Sequence, residues 1–188
     1  MGTTATLETD RKLRLTRKHV YALLDAGLLD DGRYELLSGE LIQKMPQNKP
    51  HANALRRTLN VFEDTFGRDF IGSQSPIIID DTNEPEPDVF LVRSSFVGYL
   101  DNPEASEVLL IVEISDTTLR IDRTEKMLMY GSAGIPEYWV LDVNRRRLIV
   151  HREPQDDGYG SIETFGEDST IASLSAPNSQ IHVASLLP

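Results

Sequence analysis

The chain has 188 residues, 39% of them hydrophobic, and carries 30 acidic against 19 basic side chains, for a net charge of -11. This size predicts one domain with a buried core. The acidity disfavours broad, non-specific binding of nucleic acid, which depends on an excess of Lys and Arg. Because the sequence contains no cysteine, disulfides, thiolate metal sites and cysteine catalysis are excluded.

No apolar run reaches the roughly 20 residues needed to cross a membrane, and the N-terminus lacks the apolar core of a signal peptide. We therefore expect a cytoplasmic protein with no membrane partner. Residues 1–13 contain few large apolar side chains, so we predict a disordered N-terminal segment over 1–13 and a single domain over 14–188.

Apolar spacing, capping residues and turn residues predict a series of helices and strands. In chain order they are a helix after Thr16 that ends near Gly27, a hairpin over 34–42, a helix over 51–66, strands at about 76–80, 87–93 and 108–114, a helix over 122–133, a strand over 138–143, its hairpin partner over 147–152 and a short strand near 158–163.

The middle of the chain determines the predicted fold class. The strand over 108–114, the helix over 122–133 and the strand over 138–143 have the length and order of a right-handed crossover between parallel strands. Other neighbouring strands are joined by hairpin-like connections. We therefore predict an α/β fold in which a mixed β-sheet is flanked by helices.

A carboxylate lies inside the most hydrophobic part of the sequence, where six apolar residues surround Glu113 in the run 108–115. An isolated ionised carboxylate there would cost several kcal/mol, so we expect Glu113 to have a cation, a metal ion or a proton as its partner. The alternative is an ion pair between Glu113 and an arginine.

A second acid, Asp88, follows Pro87 at the start of the preceding predicted strand. If these two strands pair antiparallel, their period of two brings Asp88 next to Glu113. Adjacent carboxylates repel, and both stay ionised only with a cation between them. A hard divalent ion such as Mg²⁺ suits such oxygen ligands. The alternative is that Asp88 only caps a turn after Pro87.

Lys126 is the next candidate. It shares a face of its predicted helix with Asp122 and Tyr130, and this helix directly follows the strand that contains Glu113. An ammonium there could orient an attacking water or stabilise charge on a phosphate. The alternative is a surface pair between Asp122 and Lys126, worth a few tenths of a kcal/mol.

Five segments of the chain resemble the Uma-two family of restriction-endonuclease-like proteins. They are residues 33–42, 85–89, 112–118, 122–126 and 134–142, and the likeness extends over roughly 15–185. The resemblance implies the PD-(D/E)xK nuclease fold, in which a Pro-Asp strand and a Glu-x-Lys strand bind Mg²⁺ (or Mn²⁺). It assigns Asp88 and Glu113 as the metal ligands.

The chain departs from that pattern at Ser115, which stands where the triplet has lysine. The resemblance places the missing lysine on the following helix, at Lys126. It also matches Glu35 to an additional acid of the superfamily and His51 to a histidine common in the family. The alternatives are a solvent-facing Glu35 in the hairpin and a His51 that only starts a helix.

The sequence thus favours a Mg²⁺-dependent endonuclease that hydrolyses DNA phosphodiester bonds. Asp88, Glu113, Lys126 and Glu35 would form its catalytic site, and a homodimer would be one way to cut both strands. The competing hypothesis is a non-catalytic nucleic-acid or protein interaction module that retains the nuclease fold. Ser115 and the acidic net charge favour that alternative, and the retained buried charges oppose it. We find no serine triad, no zinc-ligand spacing among the histidines and no phosphate-binding glycine loop.

Overall fold

The computed structural model of the chain describes residues 13–30, 32–116 and 122–188. The predicted disordered segment 1–13 lies outside the described residues except for Leu13. The helices and strands run in chain order as α1 (Arg17–Asp25), β1 (Tyr34–Leu37), β2 (Glu40–Gln43), α2 (Lys49–Phe66), β3 (Ile71–Gly72), β4 (Val89–Val92), β5 (Val108–Ser115), α3 (Met127–Ser132), β6 (Glu137–Asp142), β7 (Arg147–Gln155), β8 (Gly158–Gly166), β9 (Thr170–Ile171), β10 (Ile181–His182) and α4 (Val183–Leu186).

In the described part of the chain the main sheet has six strands in the order β3-β4-β5-β6-β7-β8. The β5–β6 pair is parallel and the other pairs are antiparallel. The predicted crossover between parallel strands is therefore confirmed, as is the mixed α/β class. The pairs β1–β2 and β9–β10 form separate two-stranded sheets.

The central strands are buried on both faces, and side chains alternate between two apolar clusters. Leu110, Val112 and Ile114 of β5 pack in one cluster with Phe62 of α2 and with α4. Ile111 packs in the other cluster, which includes side chains of α3. Glu113 belongs to the same face of β5 as Ile111, because residues two apart in a strand share a face. It therefore faces the layer that contains α3.

Helix α2 contributes 18 residues to the first of these layers. Its N-cap is Asn48, whose side chain accepts a hydrogen bond from the backbone of His51. The helix thus begins two residues earlier than its apolar spacing predicts, because a cap and Pro50 precede the first apolar turn. Among the helices of the described residues, none has both the length and the apolar character needed to cross a membrane.

One predicted strand is wrong. Residues 76–80 form two isolated bridges, through Ile78 and Asp80, and do not enter the main sheet. Their backbone groups bond to loop residues, including Pro85 and Pro103. The sheet edge is instead formed by β3, a two-residue strand that contains a glycine. Such a short strand has no periodic pattern from which it could be recognised.

The predicted helix over 122–133 forms with a difference at its start. Residues Asp122–Lys126 make one π-helical turn, and α3 continues from it. The predicted hairpin of β6 with β7 is present. The short strand predicted near 158–163 forms as β8 and pairs with β7. Both β7 and β8 extend three residues further than predicted. Near the C-terminus the apolar segment packs as α4 against α2.

Candidate active site

Two carboxylates lie side by side where β4 begins and β5 approaches its end. The antiparallel register places Val89 opposite Val112, so the preceding residue, Asp88, lies next to Glu113. Both side chains are buried, with 4% of Asp88 and 3% of Glu113 exposed. The antiparallel pairing on which the expected neighbourhood of the two acids depends is therefore present.

Two donors hold a single oxygen of Asp88. The backbone N–H of Ile114 donates to Oδ2 at 2.9 Å, and Nε2 of His51 donates to the same atom at 3.1 Å. Burial alone would raise the pKa of Asp88. The hydrogen bond and charge of His51, together with the charge of Lys44, outweigh burial and hold this pKa below its ordinary value. Asp88 is thus an ionised carboxylate, and in the described residues its hydrogen bonds fall on Oδ2.

Glu113 also receives its hydrogen bonds on a single carboxylate oxygen. Nζ of Lys126 donates to Oε1 at 2.9 Å, and the hydroxyl of Tyr130 donates to this oxygen at 3.0 Å. Burial raises the pKa of Glu113 to about 7, although Lys126 opposes the rise and the charge of Asp88 adds to it. Within the described chain the hydrogen bonds of Glu113 fall on Oε1, so Oε2 is left for another partner.

Lys126 is the buried cation of this site, with 4% of its surface exposed. Its Nζ lies 3.1 Å from Oε2 of Glu35 on β1, in addition to its contact with Glu113. Burial alone would lower the pKa of Lys126, but the neighbouring carboxylates outweigh burial and raise it well above the ordinary value. Lys126 is therefore a charged ammonium that links the hairpin to β5.

Ser115, at the lysine position of the expected triplet, has a partner of its own. Its hydroxyl donates to Oδ2 of Asp122, and both residues are buried. The hydroxyl of Tyr138 donates to the backbone carbonyl of Asp122 at 3.0 Å. These contacts attach the π-helical turn to the end of β5. Single π-helical turns occur often at functional sites, and here the turn carries Lys126 into the site.

A cavity of about 300 Å³ opens beside these residues. Within the described residues its wall carries five carboxylates against three basic side chains, which are Arg33, Lys44 and Lys126. Lys44 donates to the backbone carbonyl of Glu86 at 2.6 Å. Acidic side chains therefore outnumber basic ones on the described cavity wall, even when His51 is counted among the basic ones. An added cation would therefore be stabilised there.

The donor set can be tested for its fit to a metal ion. In the described chain no group of three or more His, Asp and Glu side chains is gathered closely enough to hold an ion. Mg²⁺ does not require such a group, because it retains several waters and binds through one or two carboxylates. Asp88 and Glu113, each with one oxygen already engaged, meet that smaller requirement.

The structure decides between several alternatives that the sequence left open. Glu113 contacts Lys126 and Tyr130 instead of an arginine. Asp122 and Lys126 are buried, so they are not a surface pair. Glu35 faces the site and is 7% exposed, so it does not point to solvent. The structure thus brings Glu35, Asp88, Glu113 and Lys126 around one cavity.

Sequence reasoning missed several contacts of the site. Tyr130 shares a helical face with Lys126, which is a usable signal, but its bond to Glu113 was not anticipated. Asp122 shares a helical face with Lys126, and that spacing gives no signal of its bond to Ser115. Lys44 follows an exposed strand end and gives no local signal, since its contact is with Glu86, 42 residues away along the chain.

Comparisons with known proteins agree with this fold. The profile of the Uma2 family, described as "Putative restriction endonuclease", matches residues 20–184. A solved structure described as a putative nuclease belonging to DUF820, from Anabaena variabilis, superposes with a TM-score of 0.64. It is 18% identical, and the match covers 87% of this chain and 96% of that one. No curated protein matches the chain. Because the profile match spans most of the sequence, the chain belongs to the Uma2 family of restriction-endonuclease-like proteins.

Proposed function

We propose that this protein is a divalent-metal-dependent endonuclease that hydrolyses phosphodiester bonds in DNA. The observation that carries the proposal is the pair Asp88 and Glu113, two buried carboxylates side by side, each with its hydrogen bonds on one oxygen. The buried ammonium of Lys126 contacts that pair through Glu113. Family membership supports the same reaction class.

Asp88 and Glu113 would hold Mg²⁺ or Mn²⁺ through Oδ1 and Oε2. A bound divalent ion supplies Lewis-acid stabilisation of charge on the scissile phosphate. Because burial raises the pKa of Glu113 to about 7, a divalent ion held there would compete with a proton near neutral pH.

Lys126 supplies a fixed positive charge beside the metal ligands. Its Nζ would donate to a phosphate oxygen or to the attacking water, and so stabilise the charge that develops during hydrolysis. Glu35 would assist by holding the ammonium from β1, at 3.1 Å. The hydroxyl of Ser115 bonds to Asp122 and carries no charge. In this proposal Lys126 therefore takes the role of the triplet lysine.

DNA is the substrate that we propose, on two grounds. The family description names restriction endonucleases, and the cavity wall includes three basic side chains that could contact a phosphate backbone. The net charge of -11 implies that this contact is local. A metal ion held by Asp88 and Glu113 would offset the acidic wall, and the cations beside it would then contact the strand.

The test is DNA cleavage with isosteric variants. Purified protein is incubated with supercoiled, linear and single-stranded DNA in Mg²⁺ or Mn²⁺. Glu113→Gln and Lys126→Met should each lower the cleavage rate by about 100-fold or more, because each removes one charge from the proposed site. Glu163→Gln, on the exposed part of β8, is the matched control and should cut like the unaltered protein.

Absence of metal-dependent cutting on every DNA form would overturn the proposal. In that case, DNA binding that persists without metal would favour the non-catalytic interaction module. Cutting that survives Lys126→Met would retain the nuclease but remove Lys126 from its mechanism.

A further inference from the structure

His51 stands at the start of α2 and reaches β4 with its side chain. Its backbone N–H donates to the side chain of the N-cap residue Asn48 at 3.0 Å. The other polar atom of Asn48, Nδ2, donates to Asp116 at the end of β5. The first turn of α2 is thereby attached to the sheet beside the site, and this attachment determines where His51 lies.

The imidazole of His51 takes no part in capping α2. The cap uses the backbone N–H of residue 51, which any residue except proline would supply. The side chain is 16% exposed and makes one polar contact in the described chain, to Asp88. Its second nitrogen, Nδ1, is buried and has no hydrogen-bond partner among the described residues. The imidazole thus serves a single polar neighbour, the carboxylate of Asp88.

The hydrogen bond from His51 limits how freely the carboxylate of Asp88 can rotate. The final torsion of an aspartate side chain is broad, so a carboxylate with one donor can rotate. In this protein a strand N–H and a helix side chain donate to the same oxygen, Oδ2, at 2.9 Å and 3.1 Å. Two donors from different elements restrict the rotation and keep Oδ1 away from both of them.

We propose that His51 is a positioning residue that orients Asp88, so that Oδ1 is presented to a divalent ion shared with Glu113. This inference rests on the proposed function, because it concerns the metal that Asp88 would hold. His51 itself does not bind the ion. Hydrogen-bond partners of metal ligands typically change metal affinity by about 10- to 100-fold when they are removed, and the loss of His51 should fall in that range.

Mn²⁺ binding tests the role without depending on catalysis. Binding to the full chain is measured by calorimetry and by electron paramagnetic resonance for the unaltered protein, His51→Ala and His51→Gln. The Nε2 of glutamine lies near the position of the histidine Nε2, so His51→Gln retains a donor to Asp88. We expect His51→Ala to bind Mn²⁺ at least 10-fold more weakly and His51→Gln to stay within about 3-fold of the unaltered protein.

Two controls separate positioning from other roles. His182→Ala changes an exposed histidine on β10 and should bind Mn²⁺ normally. Without metal, the melting temperature of His51→Ala should stay close to that of the unaltered protein. The weaker Mn²⁺ binding of this variant then does not result from a loss of stability. The resonance of bound Mn²⁺ should show no directly coordinated nitrogen, because His51 contacts the ligand and not the ion.

Several results would overturn the inference. One is unchanged Mn²⁺ affinity in His51→Ala, and another is a loss in His51→Gln as large as that in His51→Ala. A nitrogen bound directly to Mn²⁺ that disappears in His51→Ala would make His51 a ligand instead. If the unaltered protein binds no Mn²⁺, the proposed function and this inference fail together. If the protein binds Mn²⁺ and His51→Ala weakens that binding, but no DNA is cut, only the proposed function fails.

Discussion

At the scale of single residues, the neighbours of a buried ionisable group determine its charge. Asp88 and Glu113 are almost equally buried, but the pKa of Asp88 is lowered while that of Glu113 is raised to about 7. The difference arises because Asp88 has a strand N–H and His51 as donors, whereas the charges of Asp88 and Asp122 add to the desolvation of Glu113. Two acids in one site therefore hold their protons differently.

His151 gives a residue-scale prediction outside the site. It is 1% exposed, stacks on Tyr138 at 5.1 Å between ring centres, and donates from Nδ1 to the carbonyl of Tyr138 at 3.0 Å. Burial lowers the pKa of His151 to about 4, although that hydrogen bond opposes the decrease. The ordinary value for histidine is near 6.5, and this value applies in the unfolded chain.

Between about pH 6.5 and 4 the unfolded chain therefore binds the proton and the folded protein does not. The stability that neutral His151 contributes is complete above pH 6.5 and is lost as the pH falls through 4, by on the order of 3 kcal/mol. Urea unfolding at several pH values measures this slope. His151→Asn, which retains a donor near Nδ1, should flatten the slope, whereas His182→Asn should not. An unchanged slope in His151→Asn would contradict the assignment.

At the scale of elements, the position of α3 determines the position of the ammonium. The π-helical turn carries Lys126, and the next turn carries Tyr130, so both donors to Glu113 move with α3. Gly131 allows this helix to approach β8 closely. A Cβ atom at residue 131 would overlap the backbone carbonyl of Gly158.

Gly131→Ala should therefore destabilise the protein, contrary to the usual effect of alanine in a helix. Alanine gains up to about 1 kcal/mol over glycine in a helix, whereas overpacking against backbone costs about 1–3 kcal/mol. Because α3 carries Lys126 and must shift, the rate of DNA cleavage should fall even under conditions where the variant is fully folded. Urea unfolding and cleavage assays measure the two effects. The matched control is Ser132→Ala, on the exposed side of the same helix. A more stable Gly131→Ala variant would show that α3 adjusts freely.

At the scale of the whole molecule, an acidic protein carries a predominantly acidic cavity beside its central sheet. The net charge is -11, and the cavity wall of the described chain has more carboxylates than cations. A ligand that binds only the folded state stabilises it by mass action. A divalent cation should therefore raise the stability of the entire domain, not only that of the site.

Saturating Mg²⁺ or Mn²⁺ should raise the melting temperature. At 100 times its dissociation constant a ligand contributes about 2.7 kcal/mol, which corresponds to about 5–10 °C for a domain of this size. Thermal unfolding with and without metal measures the shift. The double variant Asp88→Asn/Glu113→Gln should show almost none of it, because both proposed ligands lose their charge. An equal shift in the double variant would place the ion elsewhere.

Local sequence patterns were sufficient to predict much of this architecture. The run around Glu113 and the strand that contains Trp139 are continuous apolar stretches, and the helix that carries Lys126 has helical apolar spacing. Their order along the chain then restricted the topology to a crossover between parallel strands. The sequence left the antiparallel pairing of 87–93 with 108–114 as a condition. The structure contains that pairing, which brings Asp88 next to Glu113.

The sequence by itself therefore determined the α/β class, the central strands and the residue types of the candidate site, because these depend on contiguous patterns. Only the tertiary structure decided which donor meets which oxygen. The contacts of His51 with Asp88 and of Glu35 with Lys126 join residues 37 and 91 positions apart. No local period encodes such contacts, because they depend on how α2 and the β1–β2 hairpin pack against the sheet.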